Sequence, residues 1–174
     1  YRVLLLARYD GPLTPGKLDP EKLEPLALAL LTGKLRPNAK ETFAYFAQQG
    51  VTVKVISGDN PATVSMIAQQ AEIPNSEKYV DASTLETPEQ LRKAADEYTV
   101  FGRVSPQQKK ALIEALQKKK HTVAMTGDGV NDLLAMKQAD CAIAMASGAE
   151  AASQLASLVL LDSDFSAMPS VVNE

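Results

Sequence analysis

Two apolar runs in this chain end in the same pattern: a hydroxyl residue, then glycine, then aspartate. Val51-Thr52-Val53-Lys54-Val55-Ile56 leads into Ser57-Gly58-Asp59-Asn60, and Val123-Ala124-Met125 leads into Thr126-Gly127-Asp128-Gly129-Val130-Asn131-Asp132. A short apolar run that stops at glycine reads as a buried strand leaving its sheet through a tight turn, where glycine lets another group approach the backbone closely. In open parallel sheets the site lies outside the carboxyl ends of the strands. Two such strand ends therefore predict one shared site. Asp128 and Asp132 bring hard oxygen ligands of the kind Mg2+ takes, so the pattern points to phosphate or metal chemistry.

The remaining periodicity predicts alternating strands and helices, the signature of a mainly parallel α/β sheet. Residues 1–7 read as a strand. Residues 8–24, with three prolines and two glycines among charges, read as a loop. Leu26–Leu31 is apolar but too short to assign. A helix is expected from Pro37 to Gly50, with Ala39, Phe43, Phe46 and Ala47 on one face. The strand 51–56 follows, then a helix opening at Asp59 or Asn60 and buried through Val64, Ile67, Ala68 and Ala71. Thr87-Pro88-Glu89-Gln90 and Ser105-Pro106-Gln107-Gln108 are capping-box patterns that open two more helices. Short strands are expected near 79–80 and 98–101. Beyond them come a strand at 121–126, a helix at 130–138, a strand at 140–145, a short helix near 149–155 and a strand at 157–161.

Composition narrows the class. A length of 174 residues with 45% hydrophobic content predicts a single domain with a real core. The net charge of −3 gives no footprint for nucleic acid. No apolar stretch approaches the roughly 20 residues of a membrane span. The single cysteine, Cys141, lies in an apolar run and reads as a buried structural thiol, which fits a reducing compartment. Lys118-Lys119-Lys120 reads as a solvated helix end and His121 as exposed and idle.

The Ser57–Asn60 turn, the Ser105–Lys110 helix start and the segment TGDGVNDLLAMKQAD (126–140) stand in one order and spacing that resembles the phosphorylation domain of P-type ATPases. That domain belongs to the haloacid-dehalogenase-like superfamily. The resemblance covers residues 33–174. Residues 1–8 resemble the last strand of the nucleotide-binding domain inserted in these pumps, and 9–32 are expected to be a linker or hinge. The tail from Ala149 to Met168 is similar to a bacterial subgroup associated with calcium. The resemblance implies a three-layer, doubly wound, mainly parallel sheet lacking the family's usual first strand. It also implies a catalytic domain on the cytoplasmic face of a membrane, working with membrane and actuator domains. There an aspartyl-phosphate forms from ATP and is hydrolysed, with Mg2+ as cofactor, to drive cation transport. Phosphoryl transfer asks a protein mainly for positioning and charge neutralisation.

Carried over residue by residue, the resemblance makes Asp128 the Mg2+ ligand and Asp132 the second acidic position, either a metal ligand or a partner of a metal-bound water. Asn131 orients phosphate or water. Ser57, where relatives have threonine, keeps the hydroxyl that donates to phosphate, and Gly58 keeps its N–H accessible. Asp59 caps the following helix or takes part in nucleotide closure. Lys109, preferred over Lys110 by its spacing from Pro106, neutralises the phosphate and the carboxylates. Arg36 matches a hinge arginine near the nucleotide.

The chain also departs from the family. Gly33, in Thr32-Gly33-Lys34, stands where relatives usually carry aspartate, which removes a polar contact to nucleotide. The nucleophile motif Asp-Lys-Thr-Gly-Thr is missing from the sequence. The chain is therefore expected to be a catalytic-domain fragment, inactive alone, with the 1–7 strand a candidate to fill the central slot of the sheet. A soluble phosphatase of the same superfamily is the alternative. Tyr9-Asp10-Gly11-Pro12-Leu13-Thr14 resembles the start of such enzymes, with Asp10 at the acid/base position but Arg8 where the nucleophile belongs. A receiver-like phosphate-binding module is the third class.

Overall fold

Neighbouring residues of a strand point to opposite faces of a sheet. Val100 and Phe101, both almost fully buried, show what covers each face. Phe101 packs with Leu91, Ala94 and Ala95 on one side together with Leu112 and Ala115. Val100 packs with Val64, Ala68 and Ala71 on the other. The sheet is therefore sandwiched between two helix layers.

The computed structural model describes residues 2–12, 16, 18–31, 33 and 35–173. The chain divides into two units, Tyr1–Lys34 and Leu35–Glu174. In the second unit the elements run α1 (Ala39–Gln48), β3 (Val55–Ile56), α2 (Pro61–Gln70), β4 (Tyr79–Asp81), α3 (Pro88–Glu97), β5 (Val100–Gly102), α4 (Pro106–Lys118), β6 (Ala124–Gly127), α5 (Leu133–Gln138), β7 (Cys141–Met145), α6 (Glu150–Leu155), β8 (Leu158–Leu160) and α7 (Met168–Asn173). All pairing here is parallel, in two three-stranded sheets ordered β3-β5-β4 and β6-β7-β8.

Side chains rather than a shared ladder connect the two sheets. On α4, Leu112 belongs to the core over Phe101, while the next residue, Ile113, belongs to the core over Ala142 and Ala144. Leu116 touches both. On the other face, α1 directs Phe43 to the Val100 core and Phe46 to the core of Ile143, Leu160 and Met168, and Val53 touches both. Both capping boxes form, with Thr87 and Gln90 opening α3 and Ser105 and Gln108 opening α4. Gly50 ends α1 at φ +73, a left-handed conformation that glycine adopts without strain.

Several expectations are corrected. The strand expected over 51–56 is regular only at Val55–Ile56, because β3 is bonded to β5 alone and Val51 is half-exposed. Asn60, not Asp59, caps α2; its side chain accepts the N–H groups of Ala62 and Thr63. Cys141 is half-buried. Helix α7 was not foreseen; it is held by Met168 in the Phe46 core, next to Phe165.

In the first unit, β1 (Arg2–Tyr9) pairs antiparallel with β2 (Leu23–Leu31). The C-terminal part of the linker expected over 9–32 is thus a strand. Leu23–Leu31 is apolar enough to pair with β1, with Leu28 opposite Leu5 and Leu30 opposite Val3, and the register shifts once, between Leu6 and Ala7. Its start is fixed by a 3-10 turn at Pro20–Lys22, where the Asp19 carboxylate accepts the Glu21 N–H. The strand at 1–7 does not fill the central slot: its pairing is with β2, in a sheet of two strands. Leucines on both faces of this hairpin, Leu4, Leu5, Leu6, Leu26, Leu28 and Leu30, stay about half exposed. Leu13, Thr14, Thr32 and Lys34 lie outside the described residues.

Three carboxylates tie loops to the second unit. The Ser83 hydroxyl holds the Asp81 carboxyl below the usual carboxylate range. The Val123 N–H does the same for Asp140, and the Ser166 N–H for Asp164. A carboxyl whose folded value is depressed stabilises fully above its unfolded value of about 3.9, and the stabilisation is lost as pH falls through the folded value. Urea denaturation should therefore show stability falling below about pH 4. Asp140→Asn should make that fall shallower; an unchanged slope would show that the Val123 contact contributes nothing.

Candidate functional site

The strand β3 continues past Ile56 by one bond, from the Ser57 N–H to the Phe101 carbonyl at 2.9 Å. The chain then turns. The Ser57 hydroxyl accepts the Asp59 N–H at 3.1 Å, and the neighbouring loop fixes the turn from below. Arg103 N–H donates to the Asp59 carbonyl at 2.8 Å and Val104 N–H to that of Ser57 at 3.0 Å. At Gly58 an added Cβ would meet nothing within 4 Å, so no packing inside the chain demands glycine there.

The exit of β6 is built differently. A 3-10 turn over Val130–Asp132 folds Asp132 back under the loop. Its Oδ2 accepts the Gly129 N–H at 3.2 Å. A Cβ on Gly127 would lie 2.6 Å from the Asp132 Cβ, so glycine is required for this fold-back. The other carboxylate oxygen, Oδ1, accepts from the Lys109 ammonium at 2.6 Å. Lys109 stands in the first turn of α4, and both side chains are nearly buried, at 11% and 12% exposure. Lys110, one residue on, instead reaches Glu114 on the helix's outer face.

Ser57, Gly58, Lys109, Asp128 and Asp132 line one pocket of about 370 Å³, walled by Ile56, Met125 and Met145. Both hydroxyl-Gly-Asp turns thus open into one cavity. Among the described residues nothing pairs with the exposed Asp128 carboxylate. Lys109 and Asp132 offset each other, so Asp128 gives the pocket one unbalanced negative charge. No cluster of three metal-ligating side chains exists among the described residues. Two carboxylates still fit Mg2+, which usually takes one or two and completes its shell with water and phosphate oxygens. Both Asp132 oxygens are engaged, so Asp128 is the carboxylate of the pair left without a partner among the described residues.

The other expected residues are not part of this lining. Asn131 and Asp59 are exposed beside it in sequence. Arg36 pairs with Asp164 at 3.6 Å, on the side of the unit where Phe43 stacks near Phe165. Asp10 sits in the hairpin unit, in a shallow cleft with Arg8, Glu21, Lys22 and Glu24. Met145 was not singled out from sequence. Its only signal is its position as the last residue of the strand beside β6.

Removing one partner of a buried ion pair strands the other charge, at a cost of about 3–5 kcal/mol when burial is complete. Here the pocket lets water reach Lys109, so Asp132→Asn should destabilise by roughly 2–3 kcal/mol, below that range. A double-mutant cycle with Lys109→Met, measured by urea denaturation, should show coupling between the two positions. Additive effects would mean that the pair does not stabilise the fold.

The model of the haloacid dehalogenase-like hydrolase family matches residues 5–140. A probable cation-transporting ATPase, exp7, of Streptococcus pneumoniae is 49% identical over 99% of this chain and 22% of its own length. The calcium-transporting ATPase CtpE of Mycobacterium tuberculosis is 48% identical, with the same coverage on both sides. A calcium-transporting ATPase of Bacillus subtilis is 36% identical over 92% of the chain and 19% of its own length. The chain thus spans about a fifth of the length of these relatives. Among solved structures, the catalytic domain of the CPx-ATPase CopB-B matches with a TM-score of 0.65 over 87% of this chain and 50% of that one. At 24% identity that match shows the fold.

Proposed function

Because the chain belongs to the haloacid dehalogenase-like hydrolase family, we propose that it is the phosphorylation domain of a P-type, ATP-driven cation pump. The observation that carries this reading is the single pocket into which Ser57, Gly58, Lys109, Asp128 and Asp132 converge from two separate strand ends. Its neighbours in sequence, named as cation- and calcium-transporting ATPases, support the pump and suggest calcium as the ion. ATP is then the substrate of the longer protein, and this domain works at the cytoplasmic face beside membrane and actuator domains.

Each residue has a task that its placement suits. Asp128, whose carboxylate has no partner among the described residues, would hold Mg2+, which would supply neutralisation of phosphoryl charge. The Ser57 hydroxyl and the Gly58 N–H donate to phosphate oxygens, with room at Gly58 for close approach. Lys109 brings a fixed positive charge whose orientation Asp132 sets. Asn131 and Asp59 stand at the rim as orienting groups. Arg36, released from Asp164, would serve nucleotide. The acceptor carboxylate enters on a strand between β3 and β6. Among the described residues each of these is bonded on one side only, β3 to β5 and β6 to β7, and their exits share the pocket.

The chain alone should bind acetyl phosphate only with Mg2+, at millimolar ligand, as followed by amide shifts of Ser57–Asn60 and Gly127–Asp132. It should not hydrolyse p-nitrophenyl phosphate. Asp128→Asn should abolish this Mg2+-dependent binding, while turnover lost on Asp10→Asn would overturn this reading in favour of a phosphatase. Sequencing the DNA upstream of the Tyr1 codon in the native locus tests the pump directly: an open frame encoding Asp-Lys-Thr-Gly-Thr is expected.

A further inference from the structure

Among the described residues the Asp128 side chain has no partner, so its position is set through the backbone. That backbone is gripped by the loop leaving the next strand. Ala149 N–H donates to the Asp128 carbonyl at 2.7 Å. Beside it Gly148 lies so close that a Cβ would stand 2.5 Å from the Asp128 carbonyl oxygen and 2.9 Å from its Cα. Real Cβ atoms do not approach backbone so closely, and the backbone of Asp128 cannot swing aside as a flexible side chain would. The 146–149 loop is itself pinned. Ala146 N–H donates to the Leu160 carbonyl at 3.1 Å, Gly148 N–H to that of Met145 at 2.9 Å, and Ser147 N–H to the Ser163 hydroxyl at 2.8 Å. Ser163 takes a left-handed φ of +50 to present that hydroxyl.

The Ser57 turn is held in the same manner. There the exit of β5 donates two N–H groups, from Arg103 and Val104, to the exit of β3. Gly102 sits where a Cβ would come within 2.4 Å of Pro61. In both sheets, the strand next to the site strand supports the site turn from outside the pocket.

We infer that Gly148 and Ala149 are positioning residues that set the height of Asp128 in the pocket and thereby its affinity for a divalent cation. The inference rests on the reading of Asp128 as the Mg2+ ligand. A methyl group at 148 must push either the loop or Asp128, and the loop is tied at three N–H groups. The displaced element is therefore Asp128, with its carboxylate.

The test uses the full chain, with Mn2+ as the probe, read by broadening of the Gly127–Asn131 amide signals. Partners that orient a metal ligand are commonly worth about 10- to 100-fold in metal affinity, and Gly148→Ala should weaken Mn2+ binding by about that factor. In the same sample without metal, hydrogen exchange of the Ala149 amide should speed up. Ala149→Pro gives a second route. The backbone φ of −65 at Ala149 already suits proline, so this change removes the N–H without straining that torsion. It should match Gly148→Ala in Mn2+ affinity, whereas Ala149→Gly, which keeps the donor, should bind Mn2+ as the parent chain does. Mn2+ binding and Ala149 exchange both unchanged in Gly148→Ala would overturn the proposal. Faster exchange with unchanged Mn2+ binding would overturn it too, reducing the contact to packing. Asp128→Asn separates the two ideas: if it binds Mn2+ as well as the parent chain, the metal reading fails, and the exchange data still decide whether Gly148 seats Asp128.

Discussion

The buried pair between Lys109 and Asp132 holds together the two parts of the molecule that the backbone does not. Lys109 stands in the first turn of α4, the helix whose next turn sends Leu112 to one core and Ile113 to the other. Asp132 ends the turn that leaves β6. Since β3 and β6 share no ladder, their exits could face one cavity only if side chains fix the distance between the sheets. A contact of 2.6 Å between nearly buried charges does this at the cavity itself, and the apolar residues of α4 and α1 do it along the rest of the seam. The charged pair is costly to desolvate, so its gain lies less in net stability than in registering α4 on the β6 exit.

That division explains what the sequence disclosed. Helices announce themselves locally: the Thr87 and Ser105 capping boxes, Pro61 behind Asn60 and Gly50 after α1 were all legible as start and stop signals, because capping is chemistry between residues two or three apart. The two site turns were legible for the same reason. Strand length was not. Residues 51–54 look like Val55 and Ile56, yet only the latter two pair, because pairing depends on a partner remote in sequence. Leu23–Leu31 could not be read as a strand without knowing that Arg2–Tyr9 lies across from it. Of the site, Lys109 and Asp132 could be named from the motif. Their mutual contact, and the capture of Arg36 by Asp164, are tertiary facts with no local sign.

The repeated hydroxyl-Gly-Asp pattern shows how one sequence signal can cover two physical requirements. At Gly58 the absent side chain leaves open space, so the benefit of glycine falls to whatever enters the pocket. At Gly127 the absent side chain is filled by Asp132, whose fold-back places its carboxylate against Lys109. The aspartates diverge as well. Asp59 contributes its backbone carbonyl to the loop of Arg103, while Asp128 gives its backbone to Ala149 and keeps its carboxylate for the cavity. A motif that repeats in the sequence is therefore not a duplicated site. One copy leaves space and donors for an anion, and the other places charge. In the proposed function the pocket needs both, because an anion held by N–H groups and a hydroxyl would still require a counter-charge beside it, which Lys109 would supply in part and a cation on Asp128 would complete.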